Sequence, residues 1–303
     1  MNNDTLNPAN PFAGLIDSTT SPQDANGTYA ARIDRQNPSC FLFLIDQSAS
    51  MDESFQGARI KAEALADTVN KSIFNIASRC TFADGCRPYF DIGVIGYGGS
   101  EAANALAGPL AGQVLRPITE FEQHPLRVEE RSQKVSDNAG GIIEQKVKFP
   151  VWVEPRMAGG TPMCAAFRRT REILSTWCAS HPNSYPPTVI HVTDGQSTDG
   201  APELLARDLC TLGTNDGAVL LFNLHITSAQ HPSVMFPDSD AVLGDQYAKL
   251  LFGMSSRVPS PLHAAVGERG YAIGTESRFF GFNADPVSLV QFLQIGTLAA
   301  QQR

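Results

Sequence analysis

The run Cys-Phe-Leu-Phe-Leu-Ile at positions 40–45, stopped at once by Asp46, constrains the fold more than any other stretch. Unbroken apolar character without period-two alternation is the pattern of a parallel strand covered on both faces. Such a strand needs helices above and below it, and the chain supplies them. Leu65, Val69, Ile73 and Ile76 recur at helical spacing, with Lys61, Glu63, Asp67 and Lys71 assigned to the wet side. A second strand is expected over 89–97, and a third over 187–194, again ending on an aspartate. Between them Gly159-Gly160-Thr161-Pro162 opens a helix to about Cys178, with Pro162 suited to the first turn, where its missing donor costs nothing. A helix over 201–212, a strand over 218–227, a helix over 246–254, a short strand over 279–283 and a closing helix over 287–295 follow. This alternation predicts an α/β fold: a doubly wound, Rossmann-like three-layer sandwich with a mostly parallel central sheet.

An insertion is expected at about 101–157, between the second strand and the Gly-Gly-Thr loop. Within it Val147, Phe149, Val151 and Val153 alternate with polar or bulky neighbours, which predicts a strand with one buried face, and Pro150 confines that strand to an edge. Residues 118–141 read as a polar excursion ending in a turn at 137–141, a candidate interaction loop. Phe149 and Trp152 are read as packed side chains, with an exposed docking patch as the alternative. Residues 1–36 lack periodicity and are expected to form a flexible or draped arm, 37–299 a single domain, and 300–303 a tail.

A net charge of −8 without a Lys/Arg cluster opposes the electrostatic term that dominates nucleic-acid binding. No apolar run approaches the roughly 20 residues of a membrane helix, and residues 1–30 do not have the layout of a signal peptide. The expectation is therefore a cytoplasmic protein with neither nucleic acid nor membrane as partner. The six cysteines show no C-x-x-C spacing and are expected as reduced, mostly buried thiols, with a Cys80/Cys86 clasp or zinc site as the lesser alternative. The histidines are dispersed; His191 and His225, inside strands, are read as structural.

Asp46, Ser48 and Ser50 place short oxygen-bearing side chains at alternate positions just past the carboxyl end of a central strand, where such folds bind ligands. Thr161 adds a hydroxyl beside a flexible backbone, and Asp194 a second carboxylate. Magnesium demands about six oxygens in near-octahedral geometry, and two nearby carboxylates need a cation or a proton between them. Taken singly, the Asp-x-Ser-x-Ser string could equally be a helix-capping loop. Gly93, Gly96, Gly98 and Gly99 open no nucleotide-binding motif and are read as packing and turn glycines.

Taken together, Asp46-x-Ser48-x-Ser50 after a buried strand, Gly159-Gly160-Thr161-Pro162, and a strand ending Thr193-Asp194-Gly195 resemble the von Willebrand factor A domain, in order over residues 38–295. The resemblance implies a metal-ion-dependent adhesion site. In it Ser48, Ser50 and Thr161 coordinate Mg²⁺ or Mn²⁺, Asp46 and Asp194 act directly or through water, and a partner's Asp or Glu fills the open position. Met51, Gly160 and Gln196 would form the rim. Similarity to bacterial cytoplasmic members of the family implies a binding module, not an enzyme, in a signalling, stress or defence assembly with kinase, phosphatase or ATPase components. Ala49 departs from the family's usual glycine, which matters only if that position needs a positive φ. The alternative is a magnesium-dependent phosphoryl-transfer hydrolase with Asp46 as nucleophile.

Overall fold

The computed structural model describes residues 28–55, 59–136, 142–228 and 232–283. Its frame is one eight-stranded sheet. The apolar run becomes β1 (Ser39–Asp46), buried at every position. A 20-residue helix, α1 (Lys61–Cys80), leads to β2 (Phe90–Gly98), which lies parallel to β1 in the register Ser39↔Phe90 to Asp46↔Tyr97. On the other side of β1 lies β7 (Thr188–Thr193), also parallel, with Phe41 opposite Thr188. Beyond it come β8 (Leu220–His225), β10 (Phe280–Phe282) and a two-residue antiparallel edge, β9 (Val234–Met235).

Alternate residues of β1 feed two separate cores. Phe41, Phe43 and Ile45 pack with Leu65, Val69, Ile73 and Ile76 of α1 and with Leu262 and Val266 of α6 (Ser260–Gly267). Cys40, Leu42 and Leu44 pack with Phe167 and Leu174 of α3 (Met163–Ser180), Leu209 of α4 (Glu203–Leu209) and Leu251 of α5 (Gln246–Met254). The fold is the expected doubly wound three-layer sandwich with a mostly parallel sheet. Its winding reverses at β1, whose successor β2 lies on one side and β7 on the other, so the crevice at their carboxyl ends is the topological switch point.

The stretch expected as an insertion is partly sheet. Residues 101–104 form β3 (Glu101–Asn104) and 115–117 form β4 (Leu115–Pro117), both antiparallel to β2. The expected polar excursion is regular as well. It holds α2 (Ile118–Gln123), which buries Ile118 and Phe121, and then β5 (Arg127–Ser136), which pairs with β6 (Ile142–Val151) in a two-stranded ribbon. Two buried residues in six are too few to show a helical period. Trp152 is packed, not displayed: it is buried against Phe121, and its Nε1 donates to the Phe121 carbonyl at 3.0 Å. Phe149 meets Phe74 and lies under the Arg131 guanidinium at 3.7 Å.

Pro162 precedes α3 as its cap and is not in the first turn. All six cysteines are free, and only Cys86 is not fully buried. No helix among the described residues is long and apolar enough to cross a membrane. The closing helix over 287–295, the turn at 137–141, the tail and most of the arm lie outside the described residues. The arm's last part is draped: Asp216 accepts from the backbone N–H groups of Ala30 and Ala31, and Tyr29 is buried edge-on against Tyr185.

Candidate functional site

The loops after β1 and β7 meet at the switch point. Asp46, the last residue of β1, is 1% exposed. Its Oδ1 accepts from the Ser48 N–H at 2.8 Å and its Oδ2 from the Thr193 hydroxyl at 2.6 Å. Burial pushes its pKa up, against the hydrogen bonds from Ser48 and Thr193, which pull it down.

Ser48 precedes a single turn of 3₁₀ helix (Ala49–Asp52), yet its side chain caps nothing. The capping explanation of the Asp-x-Ser-x-Ser string therefore fails for Ser48. Its Oγ lies 3.0 Å from the Ser50 Oγ, and Ser50 donates to Asp194 Oδ1 at 2.8 Å. Since Ser50 has one proton, Ser48 is the donor between the two hydroxyls. A continuous hydroxyl–carboxylate chain thus joins the ends of β1 and β7. Ala49 is not among the non-glycine residues with positive φ, so the missing glycine costs nothing.

Thr161 arrives on a third loop that is bonded to both others. The Ala49 N–H donates to the Gly159 carbonyl at 3.0 Å, and the Ala158 N–H to the Gln47 carbonyl at 2.8 Å. On the other side Thr161 and Thr198 exchange two bonds of 2.9 Å. The close approach requires glycine. Gly159 has φ +55°, and a Cβ there would stand 2.7 Å from Gly99 Cα; a Cβ on Gly98 would stand 2.3 Å from the Gln47 carbonyl oxygen.

All five predicted ligand residues thus occupy the connected loops, the serines and Asp194 through side-chain bonds and Thr161 through its backbone. Among the described residues there is no cluster of three His, Cys, Asp or Glu side chains able to hold a metal. The donor set here is instead hydroxyl-rich, two carboxylates with three hydroxyls, which suits a hard cation. Of the expected rim, Gln196 is exposed and bonded to the Tyr247 hydroxyl at 2.9 Å, and Gly160 is half-buried. Met51 is not rim: at 0% exposure it is a core residue, because the 3₁₀ turn points it inward.

Lys61 corrects the sequence reading most sharply. Assigned there to the wet side of α1, it is 3% exposed, and its Nζ lies 2.8 Å from Asp194 Oδ2 and 2.7 Å from Glu53 Oε2. Burial pulls its pKa down, but the hydrogen bonds and charges of Asp194 and Glu53 outweigh it and raise it above the usual value. Glu53 is held low by Lys61 and by the Ser228 hydroxyl. The one available signal was a lysine at a first helical position, where the helix dipole disfavours a cation.

An aspartyl nucleophile is poorly served by this geometry. Both Asp46 oxygens are engaged and buried, and the Lys61 amine sits on Asp194. His191 is structural as expected, between the Tyr97 hydroxyl at 2.6 Å and Asn223 Oδ1 at 2.7 Å. His225 is buried as well, with its ring stacked on Phe282 and the Asp194 backbone beside it.

No protein-family model and no curated protein matches the sequence. Solved structures of similar shape include the pilus adhesin SpaC of Lactobacillus rhamnosus GG, at 13% identity and a TM-score of 0.48 over 89% of this chain. Manganese-loaded TRAP of Plasmodium vivax aligns at 14% identity and 0.42, over 85% of this chain and 72% of that one. The adhesive tip pilin GBS104 of Group B Streptococcus agalactiae aligns at 14% and 0.31, over 80% and 46%. The chain spans 31% of the length of SpaC. Similarity this low carries neither a ligand nor an activity across.

Proposed function

We propose that the chain is a divalent-cation-dependent protein-binding module of the von Willebrand factor A type. Ser48, Ser50 and Thr161 would hold Mg²⁺ or Mn²⁺, with Asp46 and Asp194 contributing directly or through water. The bound ion would offer a Lewis-acidic position to an Asp or Glu of the partner. The chain's own residues prepare that position. Thr193 and the Ser48 N–H fix the Asp46 carboxylate, and the Gly159 loop holds Thr161 against the serine loop.

The observation that carries the reading is the Ser48–Ser50–Asp194 chain of hydroxyls and carboxylate across the switch point, with Ser48 unused as a cap. It is tested by calorimetric titration of metal-stripped protein with Mg²⁺ and Mn²⁺, alone and with acetate present. Wild type binds the ion, and a folded Ser48→Ala/Ser50→Ala double variant does not. No heat of binding in wild type, even with acetate, would leave the loops as scaffold only.

A further inference from the structure

A site of hydroxyls and carboxylates built for a divalent cation has no need of a buried amine, yet one is present. Lys61 opens α1 with its side chain 4% exposed, against Asp194 at 1%. It lies at the end of the helix where a positive charge is unfavourable, and it bears the cost of desolvation as well. Glu53, its other partner, has a side chain 55% exposed, so solvent weakens its share of the pairing, and Asp194 is the counter-ion with a buried side chain.

We propose that Lys61 is a resident cation of the site that lowers the affinity for the metal and, in exchange, keeps the loaded site attractive to an anionic group of a partner. The inference rests on the metal-binding reading above. Its basis is charge: Asp46 and Asp194 with a divalent ion alone would be neutral, and such a site draws a carboxylate only by coordination to the ion, without a net electrostatic attraction. With Lys61 held 2.8 Å from Asp194, the buried set carries one negative charge before the ion arrives and one positive charge afterwards. The amine also occupies Asp194 Oδ2 while Ser50 occupies Oδ1, so Asp194 is already compensated without the ion.

The test compares wild type, Lys61→Met and Lys61→Arg by calorimetry, first with Mn²⁺ and then with acetate titrated into the Mn²⁺-loaded protein. A charge removed from beside a carboxylate that would ligate the ion corresponds to about ten-fold in affinity or more. Lys61→Met is expected to bind Mn²⁺ about ten-fold more tightly and acetate correspondingly more weakly. Lys61→Arg, which keeps the charge, returns both constants toward those of wild type. Equal or weaker Mn²⁺ binding by Lys61→Met, with wild type binding, overturns the role of Lys61 and leaves the metal site standing. No binding by either overturns the metal reading and this inference with it. Should Lys61→Met fail to fold in chelator, melting with and without Mn²⁺ decides: a larger rise in Tm than in wild type supports the inference, and an equal or smaller rise overturns it.

Discussion

His191 shows what a single buried residue fixes. Asn223 donates through its amide nitrogen to the Leu251 carbonyl and the Ser255 hydroxyl, so its oxygen must accept from His191 Nδ1. Nε2 is then the acceptor for the Tyr97 hydroxyl, and the neutral ring crosslinks β2, β7 and β8, with Asn223 passing the link on to the Leu251 carbonyl of α5. Burial lowers its pKa from 6.5 to about 4. The folded value lies below the unfolded one, so between those pH values the unfolded chain takes up a proton that the folded ring refuses, and stability falls as pH falls through that window. The loss from this group approaches about 3 kcal/mol near pH 4. Urea unfolding of wild type and His191→Gln at pH 7 and pH 4.5 checks it. Wild type is expected to lose about 2 kcal/mol more than the variant, and equal losses would show that the ring does not titrate as described. The sequence placed His191 in a strand between apolar neighbours, but its partners are 94 and 32 residues away and no local pattern names them.

At the scale of elements, one side chain of α1 anchors the stretch that leaves the β5–β6 ribbon, beside the ribbon's own contacts with Phe74 and Asp67. Asn70, buried in α1, accepts from the N–H groups of Trp152 and Val153 at 2.8 and 3.0 Å and donates to the Val153 carbonyl at 2.9 Å. Asn70→Ala would strand three buried backbone groups without opening enough space to hydrate them freely. The expected cost is about 2–4 kcal/mol, read as a lower denaturation midpoint with unchanged slope; a cost under about 0.5 kcal/mol would mean that the other contacts of this stretch hold it without Asn70. The alternation of Val147 to Val153 and the edge-confining Pro150 were legible in the sequence, and Pro150 does lie in a two-stranded ribbon, opposite Val128. The partner strand was not legible. Arg127–Ser136 carries few apolar residues in its sequence, and Arg131 meets α1 through an ion pair with Asp67 and not through a hydrophobic stripe.

For the whole molecule, the two cores on either side of β1 make the central strands the last to open. Hydrogen exchange at pH 7 is expected to show residues 39–46 and 188–193 exchanging only through global unfolding. The ribbon at 127–136 and 142–151 should exchange faster, through local opening, since a two-stranded pair has no sheet neighbours to protect it. Uniform protection across both would mean that the ribbon and sheet unfold as one cooperative unit.

The sequence by itself determined the layer architecture and the main parallel strands. Continuous apolar runs, helical spacing and aspartates at strand ends are local consequences of burial and periodicity. It also determined which oxygen-bearing residues stand at the carboxyl ends of those strands. Tertiary structure alone decided which charges meet there: Lys61 reaches Asp194 across 133 residues of chain, while Met51, three residues after Ser48, turns into the core. Periodicity reports which way a side chain leaves its own element, but the buried counter-charge that keeps an amine out of water comes from another element.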